Sequence, residues 1–201
     1  EGVDGAAVIT PYFFQFNEET RYNYYSHLAQ NVDLDLYLYN FPARSEVNIS
    51  PETVFKLAEN YNNIVGIKDT MDTISHTREL IQKVKKNLNR EFAVYSGFDE
   101  YFLPNLLNGG DGLIGGLSNV TPELFAEFYQ AYLKEDFKKL KSLSQKINIM
   151  MKIYSVSDPF LPAIKKAVSL SGIDILPARS YRHERGFLKE TFTETLFCIM
   201  Q

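Results

Sequence analysis

Lys68 closes an apolar run, Ile64-Val65-Gly66-Ile67, and is followed at once by Asp69 and Thr70. An ammonium group walled in by apolar side chains is poorly solvated, which lowers its pKa and leaves some free amine at neutral pH. Such an amine attacks a ketone to form a Schiff base, and the iminium then stabilises a carbanion on the adjacent carbon. A phenol within reach can carry protons between a substrate hydroxyl, the carbinolamine and water. Tyr39 stands next to the end of the preceding apolar run, 34–40, and supplies one. The same residues also permit a plainer arrangement, in which Lys68 pairs with Asp69 and Tyr39 caps the core with its hydroxyl in water. Position along the chain leaves both open.

Metal chemistry has no comparable footing. There is no HExxH and no CxxC, and His27, His76 and His183 are scattered, so no metal site is expected. The stretch "GGDGLIGG" (109–116) lacks the Lys-Ser/Thr of a phosphate-binding loop and the spacing of a dinucleotide turn. Glycine there is expected to let backbone approach a ligand.

The elements that must position these residues can be read from the hydrophobic pattern. Five continuous apolar runs, at 5–12, 34–40, 64–69, 92–97 and 111–116, suit strands covered on both faces. Segments of helical period lie between them: one after Asn17, one capped by Ser50 with Pro51 at its first position, one over 73–88, and one over 99–109 stopped by Gly109. This spacing is that of βα units with right-handed crossovers and implies a parallel sheet. Helices are expected thereafter, at about 122–134, 136–154, 159–171 and 183–198. An open doubly wound sheet and a (β/α)8 barrel both remain possible on this pattern. In either, chemistry collects at the C-terminal strand ends. Those ends carry Thr10-Pro11-Tyr12, Tyr39-Asn40, Lys68-Asp69-Thr70, Gly97-Phe98-Asp99-Glu100 and Gly115-Gly116.

Composition narrows the class. The 201 residues are 45% hydrophobic and 23% charged with net charge −4, which is ordinary for a globular domain. No basic cluster suggests a nucleic-acid partner, and no apolar stretch is long enough to span a membrane. The single cysteine, Cys198, excludes an internal disulfide and is compatible with a reducing compartment.

Four motifs then become specific together. "YLYNFPARS" (37–45), "IVGIKDTMD" (64–72), "VYSGFDE" (94–100) and "NGGDGLIGG" (108–116) resemble the class I aldolases and lyases grouped around dihydrodipicolinate synthase and N-acetylneuraminate lyase. The resemblance runs from about residue 3 to 172, and more loosely over 183–198. It implies an α/β TIM barrel with a C-terminal extension of three helices, assembled as cytoplasmic homotetramers. On that pattern residues 1–135 are the last five βα units and 136–201 the extension, with the first three units, and their substrate-carboxylate loop, absent. It implies no metal and no cofactor, the substrate being held covalently on Lys68 with Tyr39 as proton carrier, and pyruvate as the 2-keto acid.

The resemblance also bears on the substrate. Gly97, Asp99 and Glu100 look like the stretch with which sialic acid lyases hold sugar hydroxyls, and Thr70 like a sugar-contacting threonine. Acids at 99 and 100 would equally suit the first turn of a helix. Ile114 would offer its carbonyl to the covalent intermediate, and Gly115 a backbone contact to the sugar. Arg44 points instead to the synthases, where an arginine helps hold a carboxylate, whereas Phe13 stands where synthases carry a proton-relay tyrosine. The expected activity is cleavage of a 2-keto-3-deoxy or sialic-acid-like sugar acid to pyruvate and an aldehyde. Condensation of pyruvate with aspartate semialdehyde, or a non-catalytic family member, are the alternatives.

Overall fold

The structure, a computed structural model, describes residues 2–11 and 15–173. The helix expected over 183–198, with His183 and Cys198, lies outside these residues, as do Tyr12 and Phe13.

Strands β1 (Gly5–Ile9), β2 (Asp35–Asn40), β3 (Ile64–Asp69), β4 (Ala93–Ser96) and β5 (Gly112–Leu113) form one sheet, every pair parallel, in the order 1-2-3-4-5. A doubly wound sheet reverses its strand order at a switch point. Here each unit steps the same way, as in the wall of a barrel.

Helix α1 (Glu18–Asn31) starts where Asn17 Oδ1 accepts the Thr20 amide at 2.9 Å. Helix α3 (Pro51–Asn60) starts where Ser50 Oγ accepts the Thr53 amide at 3.2 Å. Both caps are those the sequence implied. A short helix, α2 (Pro42–Ser45), was not expected; it turns the chain after β2 and ends at Glu46, whose φ is 58°. The helix expected over 73–88 is α4 (Ile74–Leu80) running into a wider π-helical turn, Ile81–Lys85, in which Ile81 and Val84 are both buried. Gly109, φ 95°, ends the segment of a 3-10 turn, Asp99–Tyr101, and α5 (Phe102–Leu107), in a conformation that glycine alone takes without strain. Helices α6 (Pro122–Leu133), α7 (Phe137–Met150) and α8 (Leu161–Leu170) follow. The expected helix 136–154 is shorter, its last turn tightening into a 3-10 segment, Met151–Ser155.

Two cores result. The first packs α1, α3 and α4 on one face of the sheet, with Leu38, Leu57, Ile64, Ile67 and Val94 at 0–1% exposure. The second is helical and joins α5 to α8 around Phe102, Phe128, Leu143 and Ile147. Among the described residues no helix is long and apolar enough to cross a membrane.

Candidate active site

Register decides which side chains share a face. Tyr39, Lys68 and Tyr95 are aligned across β2, β3 and β4, and Asn40, Asp69 and Ser96 form the next row. Successive residues of a strand point to opposite faces, so the first row faces away from the helices and the second faces them. A register shift between Leu36 and Tyr37 skips Val65 and lets both Ile64 and Ile67 face the helices. That shift puts Lys68 opposite Tyr39; a one-residue slip would have paired it with Asn40 and turned it to the other face.

Lys68 is 8% exposed and Tyr39 5%. The Lys68 Nζ lies 4.1 Å from the centroid of the Tyr39 ring, which itself stacks on Phe41 at 5.9 Å. Amine and phenol are therefore adjacent, buried, and oriented by packing, with the cation held against the ring's electron-rich face. Gly66 makes room beside them, because a Cβ there would stand 2.7 Å from the Tyr37 ring and 2.8 Å from the Ala93 carbonyl.

Asp69 turns the other way, contrary to the plainer arrangement in which it would serve as Lys68's partner. Its carboxylate accepts hydrogen bonds from Asn40 Nδ2 at 2.8 Å and Thr77 Oγ1 at 2.8 Å, and meets His76 Nδ1 at 3.0 Å. Asn40 also accepts the Ile49 amide at 3.0 Å, and His76 Nε2 faces the Ile49 carbonyl at 3.2 Å. Burial opposes the imidazolium, but the Asp69 carboxylate and the Ile49 carbonyl outweigh it and hold His76 above its ordinary pKa. Main-chain bonds complete the brace: Thr70 N to Asn40 O and Gly97 N to Asp69 O, each 2.8 Å. Three strand ends are thus locked together directly behind Lys68.

The other expected site residues divide. Thr70 (6% exposed) and Gly97 pack so closely that a Cβ on Gly97 would fall 1.9 Å from Thr70 Oγ1. That hydroxyl is buried without a hydrogen-bond partner among the described residues. Glu100 is half-buried, its Oε2 likewise lacking a partner, and burial together with the Asp99 and Asp72 charges raises its pKa. Asp99 is 2% exposed and already engaged: its oxygens accept the Leu117 amide at 3.3 Å, and Tyr154 donates its hydroxyl at 2.5 Å. Burial raises the Asp99 pKa, while the bonds from Tyr154 and from the Leu117 and Gly116 backbone draw it back. Ile114 donates its amide to Ser96 O at 2.9 Å, so its position is fixed from β4. Arg44 is exposed on α2.

At Gly115 and Gly116 the space beside the backbone is occupied from within the protein. A Cβ on Gly115 would stand 2.1 Å from Asp99 Oδ1, and one on Gly116 2.3 Å from the Tyr154 hydroxyl, so the space is filled by the protein's own side chains. Sequence reasoning passed over Tyr95, the Asn40–Asp69–His76 brace and Tyr154. Period-two counting along "AVYS", once β4 was aligned with β3, could have placed Tyr95. Tyr154 lies 55 residues from Asp99, and no local pattern links them.

Comparison with known proteins identifies the family. The model of the dihydrodipicolinate synthetase family matches residues 1–182. The chain is 37% identical over 180 residues to the probable 2-dehydro-3-deoxy-D-pentonate aldolase YjhH of Escherichia coli K12, covering 90% of this chain and 58% of that protein. Among solved structures it matches YagE of E. coli K12, a dihydrodipicolinic acid synthase family protein in complex with pyruvate, at TM-score 0.82 and 34% identity, over 89% of this chain and 61% of that one. It also matches the dihydrodipicolinate synthase of Aquifex aeolicus at TM-score 0.77 and 30% identity, over 85% of this chain and 57% of that one. The chain thus spans about 60% of the length of the relatives it matches. With the family model covering nearly the whole chain and the aligned lysine and tyrosine at its strand ends, this chain belongs to the dihydrodipicolinate synthetase family.

Proposed function

We propose that this chain carries the Schiff-base machinery of a pyruvate-releasing carbon–carbon lyase acting on 2-keto-3-deoxy sugar acids. The observation that carries it is the buried, register-aligned pair Lys68 and Tyr39, with the ammonium nitrogen 4.1 Å from the ring centroid. The Lys68 amine adds to the C2 ketone and expels water, giving an iminium. Tyr39, left as phenolate after giving its proton to the departing water, takes the proton of the C4 hydroxyl, the C3–C4 bond breaks toward the iminium, and the aldehyde leaves. The enamine is protonated at C3, and hydrolysis frees pyruvate and Lys68. Neither a metal nor a cofactor takes part in this scheme.

Thr70, Gly97, Glu100 and Gly115 line the hydroxyl-bearing end of the substrate, with Asp99 behind them, and Ile114 offers its carbonyl to the covalent intermediate. The unpartnered hydroxyl of Thr70 and the unpartnered oxygen of Glu100 support this, since each has hydrogen-bonding capacity left for a ligand. The relatives named above as a pentonate aldolase and as a pyruvate complex support the same substrate class. The sheet supplies barrel units four to eight, followed from residue 136 by an extension whose described part is helical, through which copies assemble as tetramers. The stepwise strand order and the half-buried inner residues Ala7, Ile9, Tyr37, Ala93 and Tyr95, where further strands would pack, support the barrel assignment.

The test is the retro-aldol assay on a panel of 2-keto-3-deoxy sugar acids in Lys68→Ala and Tyr39→Phe. Lys68→Ala is expected to abolish turnover. Tyr39→Phe is expected to lower kcat by roughly 10²–10⁴-fold, the worth of a positioned proton carrier. Full turnover with alanine at 68 would overturn the mechanism. Arg44 favours a second reading, condensation of pyruvate with aspartate semialdehyde, and the same enzyme offered that aldehyde decides between them.

A further inference from the structure

We propose that Tyr154, on the helical segment after α7, is a positioning residue that sets the strand-five loop, and through it the fit of the sugar end of the substrate. This rests on the lyase reading above. Tyr154 touches none of the reacting atoms in that scheme and acts through Asp99. Its hydroxyl donates to Asp99 Oδ2 at 2.5 Å, and the same carboxylate receives the Leu117 amide at 3.3 Å. The stretch Gly115–Leu117, which follows the β4-bonded Ile114, is therefore tied to the helical core through one buried carboxylate.

The glycines show how tight this tie is. Gly116 has φ −81° and ψ −40°, a conformation open to any residue, so backbone freedom does not explain it. Space does: a Cβ would collide with the Tyr154 hydroxyl, and one at 115 with the Asp99 carboxylate. Phe160 holds the Tyr154 ring edge-on at 5.1 Å, so the hydroxyl cannot easily swing aside. A carboxylate buried this deeply stays where its donors are, because an unpaired buried charge is costly. Removing the phenolic donor leaves Asp99 with the backbone amides of Leu117, at a long 3.3 Å, and Gly116, and loosens the loop.

The consequence is selective. Lys68 and Tyr39 are braced from the opposite face by Asn40, Asp69 and His76, so attack on pyruvate does not depend on Tyr154. Binding of the distal hydroxyls, which uses the loop, does. The test uses Tyr154→Phe, which keeps the ring and its packing, and Gly116→Ala, which displaces the hydroxyl from the loop side. Three quantities are compared with the unsubstituted chain: hydrogen exchange at the Leu117 amide, the yield of the pyruvate adduct on Lys68 after borohydride, and KM and kcat for the sugar acid.

Exchange at Leu117 is expected to quicken by about tenfold or more in both variants while Ile67 is unchanged. Adduct yield should stay within about twofold, and KM should rise about tenfold with kcat little altered, the pattern of lost binding contacts. Unchanged exchange at Leu117 would overturn the tie itself, whatever the enzyme does. Faster exchange with an unaltered KM would overturn its link to substrate, and a parallel fall in adduct yield and kcat would mark a general structural role instead. No adduct even in the unsubstituted chain would count against the lyase reading, and the exchange arm would still judge the tie.

Discussion

At the residue scale, the proposed chemistry depends on the amine and phenol buried side by side, and conspicuous polar side chains are set behind them. Asp69, Asn40, Thr77 and His76 form a closed set of hydrogen bonds under the strand ends. Burial pushes the His76 pKa down, but the Asp69 carboxylate, the Ile49 carbonyl and the Glu79 charge reverse this, so the folded value lies above the unfolded one of about 6.5. A raised folded pKa means that the linked stabilisation is complete below the unfolded value and is lost as pH rises through the folded one. The urea midpoint should therefore decline from about pH 6 to pH 8, and His76→Gln, which cannot titrate there, should flatten that decline. A midpoint equally pH-dependent in His76→Gln would show that the Asp69–His76 pair is not its source. The pairing of Lys68 with Tyr39 was legible from strand-end order and from the joint motif. That Asp69 belongs to His76 was not, because the deciding step is a one-residue shift at Val65 that no propensity marks.

At the scale of elements, one side chain of α5 bridges two strands of the sheet. Asn105, fully buried, donates from Nδ2 to Val94 O at 3.1 Å and to Gly112 O at 2.7 Å, bridging β4 and β5. Gly110 lies so close that a Cβ would meet Asn105 Oδ1 at 2.0 Å. Asn105→Ala should cost about 1–3 kcal/mol, read from urea unfolding, because the Gly112 carbonyl loses this donor and the Val94 carbonyl keeps only the Asp111 amide; no loss would mean that water replaces the side chain. Element positions were largely written in the sequence: the Asn17 and Ser50 caps, the stop at Gly109 and the three apolar strands around Tyr39, Lys68 and Tyr95 all fell where hydrophobic period and capping chemistry placed them. The short α2 and the 3-10 ending of α7 were not, since each is set by what it packs against. The glycines at 115 and 116 were visible, but their reason was not, because Asp99 and Tyr154 reach them from distant parts of the chain.

At the scale of the whole molecule, the two cores divide the labour. The sheet core backs the strands whose opposite face carries Lys68 and Tyr39, and the helical core holds Tyr154 and, through it, the strand-five loop. Phe128, 1% exposed and tilted against Phe102 at 5.0 Å, sits in the middle of the second. Phe128→Ala should destabilise the helical core by about 3–5 kcal/mol. Thermal unfolding would then show an early transition that leaves the sheet core standing; one unchanged cooperative transition would contradict the division. Strand order is what no local pattern could supply. Continuous apolar runs suit an open sheet and a barrel alike, and only the stepwise order 1-2-3-4-5 separates them.

The central claim is that Lys68 is a nucleophile and not a structural cation. The most direct measurement is to incubate the chain with pyruvate and borohydride, then take the intact mass and map the modified peptide. A stable adduct of one pyruvate, located on Lys68 and absent from Lys68→Ala, is the predicted result. No adduct, or an adduct on another lysine, would contradict the account.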